Sequence, residues 1–86
     1  MDEHQKAQEL NSVLKNELLE KYGPLMANDD LRAALGYPTM ESFRQALSRK
    51  TVPVPVFPLN KRRGKYALTK DVAEWLASQR LEATQK

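Results

Sequence analysis

"NDDLRAALGYPTMESFRQALSRK" occupies residues 28–50, and its folding decides the architecture. Leu31, Ala34 and Leu35 recur at helical spacing, so residues 28–35 are predicted to form a short helix with one apolar face. Asn28 or Ala27 stands at its cap position, and Asp29 and Asp30 suit the positive end of the helix dipole. Gly36 is a favoured helix stop. "YPT" at 37–39 makes a tight break, and Thr39 can cap a further helix over 40–50. That helix would turn Phe43, Ala46 and Leu47 inward and Glu41, Arg44, Gln45, Ser48 and Arg49 outward.

The flanks complete the outline. Upstream, "KAQELNSVLKNELLEK" at 6–21 repeats leucine at 10, 14 and 18, with Ala7, Val13 and Leu19 beside them. This is a helical pattern in good helix formers, and "YGP" at 22–24 stops it. Downstream, Pro53, Pro55 and Pro58 exclude a helix and a central strand from 51–59 but permit an edge strand. "NKRRG" at 60–64 is the expected turn, with Asn60 and Gly64 able to take positive φ. "KYAL" at 65–68 alternates polar and apolar and is expected to return as the second strand of a hairpin. Thr69 then caps a last helix over 70–83, with Val72, Trp75, Leu76 and Gln79 as its inward stripe and the last residues frayed. The fold class is therefore mainly α, with one two-stranded hairpin and an extra N-terminal helix.

Composition bounds the function. Eighty-six residues allow one domain with a modest core. The chain is 41% hydrophobic and 29% charged, an ordinary globular balance rather than that of a disordered chain. It has no cysteine, so disulfides and thiolate metal sites are excluded, which fits a reducing compartment. "MDEHQKAQEL" lacks the basic start and apolar run of a signal peptide, and no apolar stretch approaches the ~20 residues of a membrane span. The expected location is the cytoplasm. The single histidine, His4, lies in a polar terminus and cannot build a usual zinc site or serve as a base. No phosphate-cradling glycine loop or catalytic pair is present, so neither an enzyme, a cofactor nor a small-molecule ligand is expected.

Charge is more informative than composition. The net charge is +3, yet residues 44–70 carry eight basic side chains and no acid. The remainder holds six basic and eleven acidic residues. Such polarity points to a defined anionic partner. A second short helix propped by the first can enter the major groove of B-DNA, where each base pair shows its own donor and acceptor pattern. On 40–50, Arg44 suits guanine and Gln45 suits adenine, while Ser48 and Arg49 suit bases or phosphates. A hairpin tip with Lys61, Arg62, Arg63 and Lys65 would lie along the backbone or in the adjacent minor groove. The prolines would stiffen the arm that carries it and protect its edge.

"LMANDDLRAALGYPTMESFRQAL" followed by "VPVFPLNKRRGKYALTKDVAEWLAS" resembles the small winged helix-turn-helix domains of the excisionase and AlpA type, similar to the DNA-binding domain of MerR-like regulators. The resemblance covers roughly Leu25 to Ser78, and the helix before Leu25 lies outside it. It implies double-stranded DNA binding through 40–50 and the basic wing. The resulting candidate set is Thr39, Glu41, Ser42, Arg44, Gln45, Ser48, Arg49, Lys50, Lys61, Arg62, Arg63 and Lys65. Ala27, where a capping Ser or Thr is common, and the extra prolines depart from the pattern.

Division of the chain follows: an N-terminal helix over 1–24, a DNA-binding domain over 25–80 and a frayed tail over 81–86. Leu10, Leu14 and Leu18 could pack on their own domain or pair with a second copy, and a homodimer would set the spacing of two half-sites. A small bacterial, phage or plasmid transcription regulator, repressor-like, is the leading expectation. An excisionase or a protein-binding inhibitor on the same fold are the alternatives. Trp75 in register with Val72 and Leu76 reads as core, Tyr66 as core or wing support, and Tyr37 as either a packed turn residue or a backbone contact.

Overall fold

The computed structural model describes residues 3–84, with side-chain environments over 9–83. His4 and Ala7 therefore have no described side-chain setting, and residues 85 and 86 of the expected tail lie outside the described part. In chain order the elements are α1 (Glu3–Tyr22), β1 (Leu25–Ala27), α2 (Asn28–Leu35), α3 (Met40–Ser48), β2 (Tyr66–Leu68) and α4 (Thr69–Thr84). The protein is mainly helical with one two-stranded antiparallel sheet among the described residues.

The core sits where α2, α3, the sheet, the proline segment and α4 meet. Met26, Leu31, Phe43, Ala67 and Val72 are fully or almost fully buried there, with Leu35 and Val54 beside them. Tyr37, Met40, Leu47, Trp75 and Leu76 pack around this centre. The tyrosine ring of Tyr37 lies 5.5 Å from that of Phe43, tilted by 37°. Trp75 is thus a core-packing side chain, and Tyr37 is a packed turn residue. Gln79, expected in the inward stripe of α4, is exposed instead, and the buried face of α4 extends to Ala73 and Ala77.

Helix ends explain the tight connection between α2 and α3. Gly36 takes φ +88°, its N–H donates to the Ala33 carbonyl at 3.1 Å, and the Tyr37 N–H donates to the Arg32 carbonyl at 3.1 Å. A left-handed residue at this place satisfies carbonyls the helix leaves open, which glycine does without a Cβ penalty. Thr39 starts α3 with a reciprocal cap: its Oγ1 accepts the Ser42 N–H at 3.0 Å, and the Ser42 Oγ accepts the Thr39 N–H at 3.2 Å. α3 ends through Lys50, which adopts φ +59°, with the Thr51 N–H donating to the Ala46 carbonyl at 2.9 Å. A non-glycine residue in this conformation costs roughly 1 kcal/mol.

Strand pairing differs from the expected hairpin. β2 forms its ladder with β1, in the register Leu25↔Leu68, Met26↔Ala67 and Ala27↔Tyr66. The 51–59 segment contributes a single bridge, Phe57↔Tyr66, in which the Phe57 N–H donates to the Tyr66 carbonyl at 2.8 Å and the Tyr66 N–H donates to the Phe57 carbonyl at 3.0 Å. Bonded pairs in an antiparallel ladder recur every two residues, so the next donor would be Pro55, which has no N–H. The ladder stops there. Asn60 was the residue expected to take positive φ in the turn; Lys61, at φ +61°, does so instead, alongside Gly64.

α1 and α4 pack along each other more extensively than any other pair of elements. The Thr69 hydroxyl donates to the Gly23 carbonyl at 2.6 Å, and the Thr69 N–H donates to the Pro24 carbonyl at 2.9 Å. Thr69 is fully buried, so it ties the start of α4 to the end of α1 rather than standing outside as a cap. The radius of gyration is 13.7 Å, above the roughly 12 Å expected of a compact chain this long. The 45 × 27 × 18 Å envelope reflects the two long helices. α4 continues to Thr84, into the segment expected to fray.

Candidate nucleic-acid interface

α3 buries Phe43 and Ala46 and half-buries Met40 and Leu47. The opposite arc exposes Glu41, Arg44, Gln45, Ser48 and Arg49, the face expected from the spacing. Arg44 and Ser48 lie on the flank nearest the arm, because Arg44, Leu47, Ser48 and Lys65 line one open concavity. Gln45 and Arg49 lie on the other flank of the exposed arc, by helical rotation. Thr39 and Ser42 have their hydroxyls in the α3 cap, which accounts for them locally.

The arm from Pro58 to Lys65 is built by a few specific bonds. The Arg62 N–H donates to the Leu59 carbonyl at 3.2 Å and closes the turn. The Tyr66 hydroxyl donates to the Arg63 carbonyl at 2.9 Å, so Tyr66 supports the arm from its base. Lys61, Arg62, Arg63 and Lys65 are all exposed. So are Arg44, Arg49, Lys50 and Lys70, and none of these eight takes part in an ion pair among the described residues. Unpaired surface cations keep their full attraction for an anion, and a polyanion gains by releasing its counterions on contact.

Sequence reasoning missed two supporting residues. Arg32 donates to the Asp29 carboxylate at 2.8 Å and to the Tyr37 carbonyl at 2.6 Å, joining α2 to the turn before α3. The hydrogen bond and the charge of Arg32 hold the Asp29 carboxyl below the usual carboxylate range. A lowered carboxyl lends stability above its ordinary value and loses it as pH falls through the folded one. Asp29 is open to solvent, so screening keeps that contribution small. The Asp-x-x-Arg spacing is the signal that could have revealed this pair.

The second is Asn28. Its backbone N–H donates to the Lys65 carbonyl at 2.9 Å, and its side-chain Oδ1 accepts the Lys65 N–H at 3.0 Å. Ala27 is the residue preceding α2, without a side-chain cap. Asn28 therefore bonds the arm instead of capping its own helix.

On α1, Leu18 and Tyr22 pack against the core, while Leu10 and Leu14 are half-buried. Among the described residues, Val13 at 52% and Leu19 at 37% exposure are the large apolar side chains left outward. No helix among the described residues is long and apolar enough to cross a membrane. Compared with known protein families, curated proteins and solved structures, the chain matches none.

Proposed function

We propose that this protein is a sequence-specific double-stranded DNA-binding protein with a winged helix-turn-helix arrangement of the excisionase and AlpA type. In this reading α2 supports α3, α3 is the recognition helix in the major groove, and the arm from Pro58 to Lys65 is the wing on the backbone or minor groove. The observation that carries it is the concavity in which Arg44 and Ser48 of α3 face Lys65 of the arm. Those groups come from two separate elements, and each can donate a hydrogen bond to a phosphate oxygen, two of them with a positive charge. Gln45 and Arg49 then remain for base edges on the outer arc of α3. Glu41 is suited to accept from cytosine N4 and would repel a phosphate.

A small transcription regulator is the role we favour within this class. The outward Val13 and Leu19 offer a modest surface for a second copy, whereas the Leu10, Leu14 and Leu18 stripe lies on a helix packed along α4. Selection of binding sites from random duplex DNA tests the reading. An enriched inverted repeat is expected for a dimeric regulator. Enriched direct repeats would instead favour a recombination factor. No enrichment at moderate salt would overturn base readout and favour a protein partner.

A further inference from the structure

Asn28 stands in a backbone conformation few residues adopt, at φ +47°. Asparagine tolerates this region better than most, but it does not require it. The side chain gives the reason for the residue. With Oδ1 on the Lys65 N–H and the backbone N–H on the Lys65 carbonyl, Asn28 grips both polar groups of one arm residue. Gly64 completes the contact. A Cβ there would stand 2.6 Å from the Asn28 Oδ1, closer than side chains tolerate, and φ +120° already favours glycine. The absence of a side chain at 64 is what lets the amide of Asn28 lie against the arm.

Lys65 lines the concavity together with Arg44, Leu47 and Ser48. The grip is therefore made on the backbone of the same residue that faces α3. We propose that Asn28 is a positioning residue: it fixes Lys65 opposite Arg44 and Ser48, so that these three bracket one backbone phosphate between the recognition helix and the wing. The inference rests on the DNA-binding reading and adds a second tier to it. An arm joined at its base by one bridge, Phe57↔Tyr66, has little rigidity of its own. The Asn28 bonds supply a second attachment on the opposite edge of β2. Preorganisation of this kind raises affinity by lowering the ordering needed on binding.

The test uses Asn28→Gly in the full chain. Glycine accepts φ +47° freely, so backbone strain is not introduced and only the acceptor is lost. Exchange of the Lys65 amide with solvent should accelerate by about tenfold or more, as expected for one hydrogen bond. Amides of α4 such as Val72 should keep their protection, which shows the fold is intact. Binding to duplex DNA should weaken about tenfold, and the slope of log affinity against log salt should become shallower by about one. Asn28→Asp retains the acceptor and should restore protection of the Lys65 amide. Gly64→Ala, which presses on the same contact from the other side, should reproduce the loss.

An unchanged Lys65 amide in Asn28→Gly overturns the proposal. So does a freed amide with unchanged affinity and salt slope, since the tie would then be structural only. Failure of the wild-type chain to bind duplex DNA is a different result, seen before any variant is made. It overturns the DNA reading and the positioning role with it.

Discussion

Replacing Arg62 and Arg63 together by alanine is expected to weaken duplex DNA binding roughly 100-fold at about 0.1 M salt. Each removed charge-assisted hydrogen bond is worth about 1.5 kcal/mol, and 1.4 kcal/mol is a factor of ten. Both side chains are exposed and unpaired among the described residues, so neither holds the fold. The hydrogen bond that Tyr66 makes here goes to the Arg63 backbone carbonyl, which alanine keeps. Stability should therefore move by less than about 0.5 kcal/mol. Fluorescence anisotropy with a labelled duplex, alongside a thermal melt, separates the two quantities. Full affinity in the double variant would remove the arm from the interface.

Phe43→Ala is expected to cost about 3–5 kcal/mol of stability. Phe43 has no exposed surface and sits at the centre of the core, against Tyr37 and between α2 and α3. Its loss removes apolar contacts and a ring pair worth about 1 kcal/mol, and leaves a cavity that α3 must span. A small domain has net stability near the lower part of the 5–15 kcal/mol range, so most of it would go. The melting temperature should fall by roughly 15–30 °C. DNA binding should vanish along with folding, because the same helix carries Arg44 and Ser48 on its other side. Phe43→Leu, closer in volume, should cost less than about 1.5 kcal/mol. A loss below 1 kcal/mol for Phe43→Ala would mean that the core is not organised around this ring.

Helices were legible because their signals are local. The leucine spacing of 10, 14 and 18, the aspartates at 29 and 30, Gly36 and Thr39 each act within a turn or two of their own position. The element bounds follow them closely. The exposed face of α3 was legible for the same reason. What lay between distant residues was not. β1 is three residues long and carries no alternation that marks a strand. Its pairing with β2 depends on where α1 delivers the chain, which no local pattern records. The prolines of 51–58 marked a segment without helix, but the edge strand expected there is reduced to one bridge at Phe57. Thr69 read as a cap and is instead a buried link to Gly23, a contact across 46 positions. The tie from Asn28 to Lys65 spans 37 positions and is likewise invisible to spacing.

The measurement that bears most directly on the DNA reading is the salt dependence of duplex binding by the unaltered protein. If about five of the eight exposed cations between 44 and 70 meet phosphates, log affinity should fall against log salt with a slope near −4 to −5. A slope in that range would give the number of phosphate contacts and set the scale for every arm and α3 variant. A flat dependence, or no binding at low salt, would contradict the reading and return the basic arm to the status of a solvated turn.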